Sequence, residues 1–489
     1  MRIIQILIFF VYTLSAYCMP KDTVPSCIQQ ADIANRLSAK YNYLQENAVS
    51  ASEQRIFWDV TTVNAGQLAE RLGADINNID SLIIHGPIND KDFYTLWSAS
   101  FHGRLTVLNL ENADIENDII PRNAFWRQSE QLNFEGGYIK CIHLKRIIFP
   151  EKLKSIGEMA FSYAIDLVEI NIPSGLCYID TYAFSDCIRL VTDPLTFPEG
   201  FERLGSLVFM NCRKLTGQII LPSTIKEIGA GAFFQSKISS VNFPDGLEKI
   251  DDAAFYACRL KEIFIPNSCQ NLDGSMHFQM NYTLERASLP EGIVRIPNGF
   301  FDSCMELKEV NIPSTVKVVG IHAFEGCISL KKLDLPAGLE SIEAVGLSSC
   351  NSLEQIVFPA SMKTLGGRSC KDWNEIKRIY CMALEPPVCE GYSDSGDTPF
   401  GSYNSDPRSG TPNNVPVYIP IGTAEKYRNA WGWDYFTNFI ETDDFPTGIQ
   451  DVTENAEDSY MSIFDLVGRK VTNPQKGQVY IINGKKMVY

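Results

Sequence analysis

Between Arg146 and Tyr380 the chain repeats one pattern of apolar and polar positions ten times, each copy anchored on a proline: Pro150, Pro173, Pro198, Pro222, Pro244, Pro266, Pro290, Pro313, Pro336 and Pro359. Successive anchors lie 23, 25, 24, 22, 22, 24, 23, 23 and 23 residues apart. The residue before each proline is large and apolar, from Phe149 and Ile172 to Leu335 and Phe358. So is the residue two places earlier, from Ile147 and Ile170 to Leu333 and Ile356, with Ala287 the small exception. Mainly polar residues lie between. Period two, ending at a proline that cannot donate to a ladder, predicts one short strand per copy.

A second apolar position follows six residues after every proline: Ile156, Ile179, Leu204, Ile228, Ile250, Leu272, Ile296, Val319, Ile342 and Leu365. Most copies then read Ala-Phe, as at Ala160-Phe161, Ala183-Phe184, Ala232-Phe233, Ala254-Phe255 and Ala323-Phe324. About seventeen residues on there is usually a leucine, such as Leu167, Leu307 or Leu353. One turn therefore supplies a strand, a bend and a second inward segment. No turn can bury its own apolar face, whereas stacked turns share a continuous core.

Fourteen residues after the proline stand Cys187, Cys212, Cys258, Cys304, Cys327 and Cys350, with Ala164, Ser236, Met280 and Trp373 in the remaining copies. A place that accepts Cys, Ala and Ser selects for a small side chain in a crowded interior, where a thiol packs as a small hydrophobe. A nucleophile or metal ligand would be unique rather than repeated in register. These six cysteines are expected to be a structural ladder, and His322, at a variable slot, an exposed loop residue.

This pattern of proline, isoleucine, Ala-Phe, cysteine and leucine at fixed offsets resembles the BspA-like leucine-rich repeats. The resemblance implies a β-rich α/β solenoid, with one short strand per 22–25-residue turn in a stacked parallel sheet, terminal caps and a small C-terminal β meander. The copies at Pro266 and Pro359 depart most, with Met276-His277 and Ser369-Cys370 standing where Ala-Phe is expected. Flanking stretches fit the same family. Residues 81–115 look like its amino-terminal region, with strand-like runs at Leu82–Ile84 and Leu105–Leu110, and 417–441 looks like the module that closes such arrays.

The opening residues, "MRIIQILIFFVYTLSAYCMPKD", have one arginine, an apolar run and then small residues, the layout of a secretory leader cleaved after Ala16 or Cys18. Tyr17 sits where a lipobox wants a small residue, which argues against acylation at Cys18. No apolar stretch reaches the roughly 20 residues of a spanning helix. The expected organisation is a leader (1–18), a lead-in with helical propensity (19–54), an N-terminal cap with irregular repeats (55–145), ten repeats (146–380), a loop excursion and C-terminal cap (381–445) and a tail (446–489). Runs at 462–467, 478–482 and 486–489 predict a three-stranded meander in that tail, read as a sorting or attachment segment. The expected location is secreted or at a bacterial cell surface, outer-membrane association included.

Composition narrows the function classes. A chain of 489 residues with 45% apolar residues and 21% charged ones can bury a large core. Its formal charge of −16 leaves no basic footprint for nucleic acid or an anionic membrane. None of the five histidines belongs to a metal-ligand or nucleophile motif. Asp394, Asp397 and Asp406 lack the ligand spacing of a calcium loop. Neither an enzyme, a cofactor nor a metal is expected. Off the ladder, Cys381 and Cys389 are the nearest pair for a disulfide, although connectivity cannot be read from spacing.

Ten strands at about 4.8 Å each make a platform roughly 45–50 Å long. The outward positions expected to form a binding face include Glu169, Asn171, Asn242, Glu262, Phe264, Arg286, Glu309, Asn311, Lys332 and Asp334. They are mixed in charge and nearly free of aromatics, which favours a protein ligand over a glycan. The resemblance implies an adhesin-like protein, displayed at the surface and engaging host extracellular or cell-surface proteins or another cell's surface. The alternative is a glycan-binding accessory protein using the C-terminal cap or loop 385–416. There Trp431 and Trp433 form either a sugar-stacking pair or, the favoured expectation, a seal on the last repeat.

Overall fold

Two apolar segments per copy, separated by a proline that ends the first, can be buried together only if the chain coils and its turns stack. The computed structural model has this form. It describes residues 55–127, 141–392, 397–401 and 410–446, and the backbone of short strands at 132–133, 138–139, 463–464, 479–482 and 485–488.

Strands before the prolines pair in parallel along one side of the stack. Phe57–Thr61, Ser81–Ile88, Val107–Ile115, Arg146–Ile148 and Glu169–Ile170 follow one another, and Glu262–Phe264, Arg286–Ser288 and Glu309–Asn311 do so further on. Register matches equivalent positions in consecutive turns, as in Ile263 with Ala287 and Ala287 with Val310. The second inward segment is also a strand, of two residues, so most turns carry two. Ser155–Ile156, Tyr178–Ile179, Arg203–Leu204, Glu227–Ile228 and Lys249–Ile250 form a second parallel ladder. That ladder is interrupted at the Pro266 copy, where only a single bridge joins Lys249 to Asn271, and resumes at Arg295–Ile296. The sequence irregularity at this copy is thus a structural one. The Pro359 copy keeps its pairing, since Thr364–Leu365 joins both neighbours.

The third side is a row of tight turns. Nine and thirteen residues after the proline the backbone is left-handed, at Met159 and Tyr163, Tyr182 and Asp186, Leu207 and Asn211, and Val345 and Ser349, with φ between 55° and 61°. L-residues pay a steric penalty there. Stacking offsets it, because the turn's amides reach the next turn's carbonyls: Met159 N–H to Thr181 at 2.9 Å, Phe161 to Ala183 and Tyr163 to Ser185 at 2.8 Å. Gly231 is the natural occupant of such a slot: its φ is +58°, and a Cβ would meet a Leu207 methyl at 2.5 Å.

The core runs the length of the stack. Phe125, Phe161, Phe184, Phe209, Phe233, Phe255 and Phe278 lie ring over ring with centroids 5.1–5.6 Å apart and planes within 18° of parallel. In the Pro266 copy the Ala-Phe place is filled by His277-Phe278, one residue later than the sequence offsets give, because that turn carries an extra residue. The ladder place beside it is accordingly taken by Asn281 and not by Met280.

Both ends are closed by polar and aromatic devices. At the amino end Asp92 is fully buried in the helix Asp90–Phe101, and its carboxylate accepts from the amides of Gly66 (2.6 Å), Leu68 (2.9 Å) and Asn89 (3.0 Å). At the other end strand pairing continues beyond Tyr380. Gln355–Phe358, Arg378–Cys381, Val417–Pro420 and Phe439–Thr442 are consecutive parallel neighbours, and Val388–Cys389 extends the second ladder. The region expected as excursion and cap is therefore continuous with both sheets. The tail strands Ile463–Phe464, Val479–Ile482 and Lys485–Val488 pair antiparallel as a meander. No helix among the described residues is long and apolar enough to cross a membrane.

Candidate binding face

Side chains two and four residues before each proline point away from the core, because the intervening residues point in. None of the ten residues expected on this face is buried. What they do there differs.

Most of the charges are spent on one another. Arg146 pairs with Glu169 across one turn at 3.2 Å, Arg286 with Glu262, and Lys332 with Asp334 two residues on at 2.9 Å. One place further out, Lys308 pairs with Glu285 at 2.9 Å and Lys377 with Glu354 at 2.6 Å. The Glu262 hydrogen bond, with the charges of Glu262, Glu309 and Glu285, raises the Arg286 pKa. The Lys308 hydrogen bond holds the Glu285 carboxyl below the usual carboxylate range. A shallow depression on this face is lined by Lys261, Glu262, Glu285, Arg286, Lys308 and Glu309, a checkerboard of alternating sign. Stacked turns force like positions into register, so alternation avoids direct repulsion.

Two asparagines serve the backbone. Asn171 accepts from the Phe149 amide at 2.7 Å and donates to the Phe149 carbonyl at 3.0 Å, and Asn242 does the same for Leu221 at 2.7 and 2.9 Å. Each amide replaces the strand pair that the following proline cannot supply. Asn311 donates to the Ser288 hydroxyl at 3.2 Å. Phe264 is the one large apolar side chain among these ten, 51% exposed; on the first strand Phe57, in register through Ser81 and Val107 with Arg146, is 58% exposed.

Past the tenth copy the same outward row turns aromatic, which the sequence reading missed. Tyr380 stands in register with Val357 and stacks on Tyr418 at 4.6 Å, with Phe445 edge-on at 6.4 Å. The signal was present in "VYIP", residues 417–420, which repeats the strand-then-proline pattern after a long insertion.

The ladder cysteines are fully buried or nearly so, and each thiol donates to the carbonyl of the phenylalanine one turn earlier. The distance is 3.2 Å for Cys187, Cys212 and Cys258 and 3.3 Å for Cys304, Cys327 and Cys350. Burial pushes their thiols well up, to about 12 for Cys258 and Cys350, so no thiolate is available for attack. Asn281 and Trp373 make the equivalent bonds, to Phe255 at 2.8 Å and Leu347 at 2.9 Å. In these eight copies the ladder place thus carries a donor to the preceding turn, whatever the size of its side chain. No disulfide joins any of the twelve described cysteines, Cys381 and Cys389 included. Cys381 accepts from the Tyr427 hydroxyl at 3.2 Å.

His322 is not an exposed loop residue. It is half-buried at a left-handed turn position and bonded through Nδ1 to Glu325 at 2.5 Å. His277 is fully buried, and desolvation pushes its pKa down to about 4. The two tryptophans of the closing region separate. Trp433 is fully buried, donates to the Pro387 carbonyl at 2.9 Å and packs on Phe358, Phe400 and Tyr427, which is the seal. Trp431 is exposed. Asp397 is buried against Arg368, and Asp394 and Asp406 lie outside the described residues. No group of three or more acidic, histidine or cysteine side chains is placed to hold a metal among the described residues.

The family profile of the BspA type leucine rich repeat region, in six copies, matches residues 135–258, 205–320 and 274–384, together more than half of the chain. Among solved structures, a leucine-rich repeat protein from Bacteroides ovatus is 24% identical, with 54% of this chain and 82% of that chain covered and a TM-score of 0.32. A leucine rich cell surface protein from Faecalibacterium prausnitzii is 19% identical over 68% of this chain and 88% of that one, with a TM-score of 0.33. The pneumococcal vaccine antigen PcpA is 17% identical over 74% and 79%, with a TM-score of 0.39. No curated protein matches.

Proposed function

Since the chain belongs to the BspA-type leucine-rich repeat family, we propose that it is an exported, adhesin-like binding protein whose sheet face engages a host extracellular or cell-surface protein. The observation that carries this reading is Phe264. It is a half-exposed phenyl ring on the outward row, two residues from Glu262, whose carboxylate is paired with Arg286. Exposing it costs apolar surface, and an aromatic ringed by polar groups that exclude water is the pattern of an interface hot spot. The paired charges around it give specificity by complementarity more than affinity. The leader at 1–18 supplies export, and the tail at 446–489 supplies surface attachment.

Incubating the purified protein with arrays of extracellular-matrix and cell-surface proteins tests the binding role. Capture of a protein that is at least tenfold weaker with Phe264→Ala supports the reading, and capture indifferent to Phe264 counts against it. Loss of surface display on deleting residues 447–489 tests the attachment role.

A further inference from the structure

A row of left-handed residues, one place before the ladder position, ties each turn to the next. The amides of Asn211, Gln235, Ala257 and Met280 reach carbonyls of the following turn at 2.8 Å, that of Ser303 at 2.7 Å and that of Gly326 at 3.0 Å. The residue two places on from each is thereby carried in register along one corner of the coil: Arg213, Lys237, Arg259, Tyr282, Met305 and Ile328. At about 4.8 Å per turn the row is roughly 24 Å long. Its first half is cationic and its second half apolar.

Neither half is satisfied within the chain. On the sheet face the charges pair with one another, whereas among the described residues no ion pair holds Arg213, Lys237 or Arg259. Burial, with the charges of Arg259 and Arg213, instead pushes the Lys237 pKa down. Asp186, the carboxylate that feels Arg213, is engaged by the Ser185 hydroxyl at 2.8 Å and the Asn211 side-chain amide at 2.9 Å. Tyr282, Met305 and Ile328 are 40–46% exposed. Single apolar residues are ordinary on a surface, but three in successive turns, continuous with unpaired cations, mark an interface.

We propose that this corner docks an extended segment of a partner protein in which a block of carboxylates is followed by apolar side chains. The partner's carboxylates supply the counter-charges that the chain lacks, bidentate at the two arginines. A sulfated polysaccharide would answer the cations but leave Tyr282, Met305 and Ile328 in water, so the apolar half selects a polypeptide. About seven residues in extended form, at about 3.4 Å each, match the row. Glu306, exposed beside Met305, repels carboxylates from the apolar half and so fixes which way the segment lies. Phe264 stands on the strand row and not on this corner, so the docking is independent of the sheet-face reading.

A fluorescein-labelled peptide, Glu-Glu-Glu-Glu-Gly-Leu-Leu-Phe-Leu, titrated into the full-length protein and followed by fluorescence anisotropy, tests it. Binding should fall at least tenfold in the triple variant Arg213→Gln, Lys237→Gln, Arg259→Gln, and several-fold with Met305→Ser and Ile328→Ser together, at unchanged melting temperature. Added salt should weaken binding to the wild type and to the serine variant but not to the glutamine variant. The same peptide with lysines in place of its glutamates should not bind the wild type, a comparison that needs no variant to fold. Phe264→Ala should leave peptide binding intact, so the two surfaces fail separately. No binding of the acidic peptide, equal binding by the glutamine variant, or equal binding of the lysine peptide overturns the proposal. Heparin held through the three cations, with no peptide binding, overturns it in favour of a sulfated polysaccharide.

Discussion

The Cys327 thiol donates to the Phe301 carbonyl of the preceding turn at 3.3 Å. That carbonyl faces the core beside the phenylalanine stack, where an unpartnered acceptor would be costly. Replacing Cys327 by alanine removes both volume and donor and should destabilise the protein by about 1–3 kcal/mol. Serine, which keeps a donor on a shorter arm, should cost less than valine, which keeps only bulk. Denaturant unfolding of the three variants checks the order; valine as the mildest change would reduce the ladder to packing alone.

The same geometry predicts selective thiol chemistry. Cys177 is only partly buried, whereas the ladder thiols are buried with pKa values raised by desolvation. Maleimide at neutral pH should label Cys177 in the native protein and the ladder cysteines only after denaturation, read by peptide mass spectrometry.

Two buried groups at the irregular Pro266 turn and its successor titrate in opposite senses. Burial pushes Asp302 up to about 6, against its hydrogen bonds from Ser303 and Gln279 and with Glu325 adding to the rise. Its contribution to stability is present at low pH and lost as pH rises through about 6. Burial holds His277 down at about 4, with Asp252 and Asp251 opposing. Its contribution is present above about 6.5 and lost as pH falls through about 4. The two nearly cancel between pH 4.5 and 6. Asp302→Asn should therefore lose stability on acidification across this window, on the order of 1–2 kcal/mol, and His277→Gln should gain it. Melting temperatures at pH 7 and 5 for both variants give the sign directly.

The seals at the two ends should fail locally. Asp92→Ala strands one buried and two partly buried amides, and Trp433→Ala opens a large void under the last turns. Each should cost about 3–5 kcal/mol, with the faster hydrogen exchange confined to the terminal turns nearest the change. Uniform acceleration along the stack would mean that the solenoid unfolds as one unit.

Proline, isoleucine and Ala-Phe offsets made the coil legible because each turn meets an identical neighbour, so sequence periodicity and spatial register coincide. Where that identity lapses, the reading lapsed too. One extra residue in the Pro266 turn moved Asn281 into the place assigned to Met280. The long insertion before Val417–Pro420 hid two further turns and the Tyr380–Tyr418 pair. Asp92 closes the amino end through amides 24 or more residues behind it in sequence, at Gly66 and Leu68, which no local pattern records. On the outward face, spacing located the residues but not their partners: Asn171 and Asn242 are backbone clamps, and Glu262 and Arg286 neutralise each other.

The central claim is that the sheet face carries the binding activity. The most direct measurement is the affinity of a captured matrix protein for two quadruple variants matched in stability. One carries Glu262, Phe264, Arg286 and Glu309 changed to alanine, the other Tyr178, Arg203, Glu227 and Lys249 on the second ladder. Loss of at least a hundredfold in the first with no change in the second is the predicted result. Equal affinity in the first variant, or loss only in the second, would contradict the assignment of binding to this face.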